Sequence, residues 1–473
     1  MPGSEWELVV GLEVHAHLKT RTKMFCRCEL EYLAAENSRT CPICLAHPGT
    51  LPVPNERAIE FTIKLGLALG CEIAAHAVFA RKNYFYPDLP KGYQISQYES
   101  PLCGRGRFVV PTADGDEAVG IVRAHLEEDA AKTVHAGGVT GRSVGADYSL
   151  VDFNRGGTPL LEIVTQPDLH SADAALRFLR LLRQTIVELG VSDAEMEKGT
   201  LRADVNVSVR KQGEEGFRPR WEIKNMNSFT FIGRAIDAAI RQQIAAHESG
   251  DTVEQSTYDY DADTDTLTVH RSKEEADDYR YFPEPDLVPI EPPAELVERL
   301  RAELRELPGA RIRRLERDLA FELAHELVTS ERDGLYERLL AADSIEPRIV
   351  ANAVMNEIAA ANLDLGEVNA AELAKVIAVK SELPRDVYTT AISSSTDPDF
   401  TAARWLDQRV TSDESALVPV VEAVLAANPQ QVATYRGGKE GVLGYLVGQV
   451  MRETRGKADP KVVNRLLREK LRA

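Results

Sequence analysis

Two stretches of the chain, GLEVHAHLK (residues 11–19) and LRADVNVSVR (residues 201–210), change from apolar to polar at almost every step. A period of two belongs to a β-strand, whose successive side chains point to opposite faces, and excludes an amphipathic helix. One face of the first strand is then Leu12, Val14, Ala16 and Leu18, and the other is Glu13, His15 and His17. In the second, Leu201, Ala203, Val205, Val207 and Val209 oppose Arg202, Asp204, Asn206, Ser208 and Arg210. A sheet with one wetted side accounts for ordinary alternation. Here, however, acids, histidine, asparagine and arginine gather on the polar side, where a merely solvated face is a mixture rich in Lys, Thr and Glu.

Further segments add to the same chemistry. HLEED (residues 125–129) sets three acids in a row, and strict alternation puts Glu127 with His125 and turns Glu128 away unless a bulge intervenes. TPLLEIVT (residues 158–165) carries the single Glu162 in an apolar strand, where a carboxylate is costly unless paired or bound to a metal. WEIKNMNSF (residues 221–229) offers Glu222, Lys224, Asn225, Asn227 and Ser228. Oxygen ligands with one imidazole suit Mg2+ or Mn2+ better than zinc. Mg2+ held in this way commonly comes with phosphate, for which Arg81, Lys82, Lys91 and Lys224 are candidate partners. No GxxxxGK[ST] loop and no GxGxxG fingerprint is present, which excludes a P-loop NTPase and gives no sign of a dinucleotide fold.

Cys26, Cys28, Cys41 and Cys44 form C-x-C-x12-C-x2-C, a spacing that fits a closed four-thiolate zinc site of structural type. Cys71 and Cys103 stand apart and are read as packing residues.

The fold class expected is α+β. The chain of 473 residues is long enough for several domains. FPEPDLVPIEPP (residues 282–293) holds five prolines and cannot continue a helix or a central strand. Beyond it Leu296, Leu300, Leu304 and Leu307 recur at helical spacing, and a polar turn, SSSTDPD (residues 393–399), precedes a last helical block. The division expected is a mixed α/β domain built on antiparallel sheet (1–292), a helical domain (293–405) and a small helical tail (406–473). A net charge of −18 argues against broad nucleic-acid binding, but residues 436–473 carry ten Lys and Arg against four Asp and Glu, a possible polyanion handle. The absence of a long apolar run or a signal-peptide pattern gives a cytoplasmic expectation, with no membrane partner.

The strings VVGLEVHAHLKTRTKMFC, RKNYFYPDLPKGYQISQY, HLEEDAAKT, DFNRGGTPLLEIVTQPD, GTLRADVNVSVR, EIKNMNSF and DDYRYFPEPDLVP follow one another in this order, with YRGGKEGVLGYLVGQVMRETRGKADPKVVNRLLREKL at the end. Together they resemble the B subunit of the heterotrimeric aspartyl/glutamyl-tRNA(Asn/Gln) amidotransferases along essentially the whole chain. The resemblance implies an N-terminal cradle that uses ATP and Mg2+ to phosphorylate the side-chain carboxylate of Glu-tRNA(Gln) or Asp-tRNA(Asn), followed by displacement with ammonia. It also implies two partners, an amidase (glutaminase) subunit that makes the ammonia and a small third subunit that ties the heterotrimer together. Metal-binding positions carried over are Glu13, His15, Glu128, Glu162 and Asp204, which leaves Glu127 and Glu128 as alternatives at one place. On residue chemistry alone, Lys224 is the candidate cation facing the transferred phosphoryl group, and Arg81, Lys82, Lys91, Asn225 and Ser228 are candidate nucleotide contacts. The cysteines vary among family members, which separates them from the chemistry. The serines at 393–395 lack the flanking glycines of an amidase nucleophile, so ammonia must come from a partner. RIRRLER (residues 311–317), the tail, and Gly437 and Gly438 beside Lys439 are candidate tRNA contacts. Two other readings fit parts of the pattern. One is a stand-alone ATP-dependent ligase joining ammonia to a free amino acid; the other is a non-catalytic zinc-containing RNA-binding scaffold.

Overall fold

A computed structural model describes residues 5–137, 146–272, 279–410, 413–454 and 456–472. The chain packs as two compact units, Met1–Arg311 and Ile312–Ala473.

The first unit is built on an eight-stranded sheet. In chain order the strands are β1 (Trp6–His17), β2 (Ala80–Asn83), β3 (Tyr93–Ser96), β4 (Gly106–Thr112), β5 (Gly115–Glu128), β6 (Lys132–Ala136), β7 (Tyr148–Asp152), β8 (Pro159–Thr165), β9 (Leu201–Lys211), β10 (Trp221–Met226), β11 (Ser256–Asp261), β12 (Thr266–Ser272) and β13 (Phe282–Pro283). The large sheet runs β12-β11-β10-β9-β1-β8-β5-β4, while β13-β2-β3 and β6-β7 form small sheets of their own. Neighbours in the large sheet are antiparallel except β10 and β11.

The alternation of β1 and β9 is what fixes their place at the centre. Leu12, Val14 and Ala16 of β1 and Val205 and Val207 of β9 are fully buried on one face. Across the ladder Val14 meets Ile163 and Ala203, and Ala16 meets Leu161 and Leu201. Burying each such Val or Leu contributes about 1.5–3 kcal/mol. A one-residue slip of either strand would turn that whole set to the polar side, so the register is strongly specified. Helices α1 (Glu56–Ala68), α2 (Ala172–Glu188) and α3 (Phe229–Ser249) pack against the sheet, α3 on β9 and α2 on β4. Asn55 caps α1 by accepting from the backbone N–H of Arg57 and Ala58, and Ser171 caps α2 through Ala174 N–H.

By its packing the first unit extends past the proline-rich segment to Arg311. The helix Ala294–Ala302 buries Leu300 and ties Arg299 to Glu60 of α1 at 2.7 Å, and Arg311 forms a paired hydrogen bond with Glu188 at the end of α2. The prolines end a run of extended chain; they do not end the packing.

The regular elements of the second unit are helices, joined by turns and loops, among its described residues. Its last part has its own core of Leu417, Val421, Val424, Leu446, Val450, Val463 and Leu467, with neighbours around them. In the helix Pro460–Arg472 the buried residues Val463, Leu466, Leu467 and Leu471 fall on one stripe. Lys461, Arg465, Arg468 and Arg472 line a shallow basic groove on the outer side.

Candidate functional site: two acid clusters on one sheet face

The ladder brings polar residues together because directly paired residues share a face. Glu13 stands opposite Asp204, His15 opposite both Arg202 and Glu162, and Glu162 opposite His125. Alternation along β5 then adds Glu127 to the group, and the pairing of Asn206 with Glu222 adds β10. The result is two trios. In each of His15–Glu127–Glu162 and Glu13–Asp204–Glu222, the possible ligand atoms lie within 4.8 Å of one another.

In the first trio His15 Nε2 is 3.2 Å from Glu162 Oε2. Burial opposes charge on His15, but the hydrogen bond and the field of Glu162 outweigh it and lift its pKa to about 9. Burial, with Glu162 close by, pushes Glu127 up to about 7. Burial also lowers His125 to about 4, so this second imidazole is neutral and adds no positive charge near pH 7. Ser96 Oγ donates to Glu127 Oε2 at 3.1 Å. Lys82, on β2, sits with its ammonium 4.7 Å from the Tyr279 ring and 5.8 Å from that of Tyr84. Burial disfavours its charge, yet Tyr281, Glu127 and Glu162 raise its pKa.

In the second trio Lys224 Nζ lies 3.1 Å from Glu222 and 3.2 Å from Asp204. Asn206 Nδ2 donates to Glu13 Oε1 at 3.0 Å. Burial, reinforced by the negative charges of Glu162, Glu222 and Asp204, pushes the Glu13 carboxyl up. Three acids thus share one ammonium, and the cluster is short of positive charge.

These donors fit hard divalent cations. Two buried atoms on the same face, His15 Nδ1 and Asn206 Oδ1, have no hydrogen-bond partner, although buried polar atoms are normally satisfied. A cation taking His15 as a ligand must displace its proton, and the neighbouring carboxylates favour that exchange only when metal charge replaces proton charge.

Beside the trios stands a node that holds the sheet together. Asp129 accepts from His17 Nε2 at 2.7 Å and from the Arg202 guanidinium at 3.1 and 3.3 Å, with Arg155 Nε at 3.6 Å. Burial disfavours its charge, but Arg202 and His17 hold the carboxyl far below the usual range.

Cys26, Cys28, Cys41 and Cys44 converge with their sulfurs within 4.8 Å of one another, and all are free thiols. Tetrahedral zinc with bonds of roughly 2.3 Å sets its sulfurs about 3.8 Å apart. Cys41 and Cys44 Sγ are 3.9 Å apart, so this pair already has that spacing.

Of the residues singled out in the sequence, Glu13, His15, Glu162, Asp204 and Lys224 come together on this face, with Lys82 near Glu127 and Glu162. Others do not. Glu128 points the opposite way from Glu127, where it accepts from Ile95 N–H at 3.0 Å and pairs with Lys91. No bulge separates the two acids, since His125 to Glu128 pair in unbroken register with β8. Lys91 is thereby engaged away from the trios. Arg81 makes two 2.7 Å hydrogen bonds to Glu284 and reaches Asp286 at 3.3 Å. Ser228 is the N-cap residue of α3 and belongs to neither trio. The side chain of Asn225 lies outside the described part of the structure. The structure also brings in Glu127, Glu222, His125, Asp129 and Arg202, which the sequence offers without placing them in a cluster. Alternation already linked Glu127 to His125; the other links needed the strand register.

Residues 8–298 match the family model described as the GatB/GatE catalytic domain, and residues 336–471 match the GatB domain. A sheet domain of this type followed by the helical GatB domain defines the class, a component of an amidotransferase. The chain is 46% identical to the B subunit of the aspartyl/glutamyl-tRNA(Asn/Gln) amidotransferase of Anaeromyxobacter sp. (strain K), over all of both chains. It is 44% identical to the protein of the same name from Syntrophotalea carbinolica, over 99% of each chain. With that from Persephonella marina the identity is 42%, over 99% of this chain and all of the relative. The chain belongs to the family of B subunits of aspartyl/glutamyl-tRNA(Asn/Gln) amidotransferases.

Proposed function

We propose that the polar face of the large sheet activates the side-chain carboxylate of glutamate or aspartate while that amino acid is esterified to tRNA(Gln) or tRNA(Asn), and completes the amide. The observation that carries this reading is the pair of hard-ligand trios side by side on one face, with Lys224 at one and Lys82 at the other. The names of the relatives supply the mischarged tRNAs as substrates.

A carboxylate is a poor acceptor for ammonia because oxide is a poor leaving group. In the first step a carboxylate oxygen of the substrate attacks the γ-phosphorus of ATP, and ADP leaves. In the second, ammonia attacks the carbonyl carbon of the acyl phosphate, inorganic phosphate departs with that oxygen, and the nitrogen loses a proton. Both reactants of the first step are anionic. Lys224 and Lys82 offset that repulsion, and holding the groups in line lowers the barrier by up to about 7–11 kcal/mol. Mg2+ held by Glu13, Asp204 and Glu222, and by His15, Glu127 and Glu162, would neutralise and align the phosphates. In this assignment Glu127 takes the role that resemblance gave to Glu128, while Lys91 and Arg81, both paired with acids, serve the frame of the site.

The remaining parts follow from the same reading. A partner amidase (glutaminase) supplies ammonia and a small third protein joins the heterotrimer, in the cytoplasm. The four cysteines hold structural Zn2+. Residues 293–405 and 406–473 act as separate helical domains, and the second of these holds tRNA through the basic side of the helix Pro460–Arg472.

The test is ADP release by the assembled complex, with ammonium held constant, without mischarged tRNA and with Glu-tRNA(Gln) or Asp-tRNA(Asn). Release that requires the mischarged tRNA supports the reading. Release indifferent to it contradicts carboxylate activation on tRNA.

A further inference from the structure

Lys23 is among the largest fully buried side chains of the protein, with 1% of its surface exposed. A buried ammonium is costly unless an opposite charge lies near it. No carboxylate pairs with Lys23 among the described residues. Two carboxylates line the cavity that Lys23 shares with the cysteine loop, and both are taken: Glu128 by Lys91, and Asp286 by Arg81. The ammonium instead donates to the Phe153 carbonyl at 2.9 Å and to Cys44 Sγ at 3.6 Å. A carbonyl satisfies one N–H but supplies no countercharge. The sulfur is the one group in contact that becomes an anion when it ligates a metal.

The surroundings are shaped for this side chain. Gly157 has a left-handed φ of +86°, and a Cβ there would meet Lys23 Cδ at 3.4 Å. Met24 N–H donates to the Gly157 carbonyl at 2.7 Å, and Gly157 N–H to the Asp129 carbonyl at 2.8 Å. Lys23 thus stands between the cysteine loop and the 153–158 segment, which leads into β8 and Glu162.

We infer that Lys23 is the charge-balancing partner of the four-cysteine centre, so that its buried ammonium and the metal-thiolate group stabilise each other and lock the cysteine loop to the start of β8. Four thiolates around a divalent ion keep a double negative charge, and a fixed cation beside one of them removes half of it. Lys23 is a positioning residue on this account, and the inference rests on the reading of the four cysteines as a zinc site.

The experiment uses the full-length chain. Zinc affinity is measured by competition with a chromogenic chelator, and melting temperature is measured with and without zinc, for the native sequence and for Lys23→Met. We expect affinity about 10- to 100-fold weaker in the variant. We also expect the zinc-free variant to melt no lower than the zinc-free native chain, because the unpaired charge is gone. A role confined to packing would lower both melting temperatures alike. Zinc affinity within about twofold of native, or equal loss of stability in both states, overturns the inference. If Lys23→Met does not fold, Cys44→Ser is compared with Cys28→Ser: the inference requires the greater loss at Cys44, and equal losses overturn it. A native chain that takes up no stoichiometric zinc defeats the four-cysteine reading itself, an outcome distinct from failure of the lysine's part.

Discussion

His15 and Glu162 face each other across β1 and β8, with His15 Nε2 3.2 Å from Glu162 Oε2. They come from strands about 150 positions apart in the sequence, and Glu162 is the single acid of an otherwise largely apolar strand. Replacing Glu162 by Gln keeps the shape and removes the charge. We expect ATP-dependent amidation to fall on the order of 10²–10³-fold, the scale seen when one fixed charge-stabilising group is lost from a site. Binding of tRNA, measured separately by filter retention, should stay within about threefold. Parallel loss of binding would mean that Glu162 supports the fold rather than the chemistry.

Glu127 and Glu128 separate two functions in adjacent positions. Glu127→Gln should remove amidation while leaving thermal stability near native, because it lessens crowding among buried acids. Glu128→Gln weakens the hydrogen bond from Ile95 and the pair with Lys91, and should lower stability by about 1–3 kcal/mol. Paired activity and melting measurements decide between them; activity lost only in the Glu128 variant would reverse the assignment.

Asp129 is the acceptor shared by His17, Arg202 and Arg155. Asp129→Asn leaves the buried Arg202 charge poorly compensated. The expected loss of stability is roughly 3–5 kcal/mol, read as a lower urea midpoint with an unchanged slope. A midpoint equal to native would show that solvent relieves the node.

Removal of residues 413–473 deletes the core around Leu446 and Val463 as a whole, together with the basic helix. Affinity for tRNA should fall, and the salt dependence of what remains should be shallower, since fewer phosphate contacts release fewer ions. An unaltered salt slope would place the polyanion contact elsewhere in the chain.

Much of this site is legible in the sequence alone. The alternation in β1 and β9 put Glu13 with His15, and Asp204 with Asn206, on polar faces, and Glu162 was conspicuous as a lone acid among Leu, Ile and Val. What the sequence withheld was register. Nothing in WEIKNMNSF says that Glu222 pairs with Asn206 of β9, a fact fixed by the ladder and by burial of Trp221 and Ile223. Distant pairing also hid the fates of the candidate cations. Arg81 meets Glu284 across 203 positions, so a basic residue that looked available for phosphate is already paired. Family resemblance pointed to Glu128 where simple alternation, kept intact by an unbroken register with β8, puts Glu127.

The proposal stands on activation of a carboxylate that is carried by tRNA. The decisive measurement is amide formation by the complex assembled with its partner proteins, given ATP and ammonium and, in parallel, Glu-tRNA(Gln), Asp-tRNA(Asn), free glutamate or free aspartate. Amide should form on at least one of the mischarged tRNAs, with one ADP per amide, and on neither free amino acid. Equal turnover on a free amino acid, or amide formed on tRNA without ADP, would contradict it.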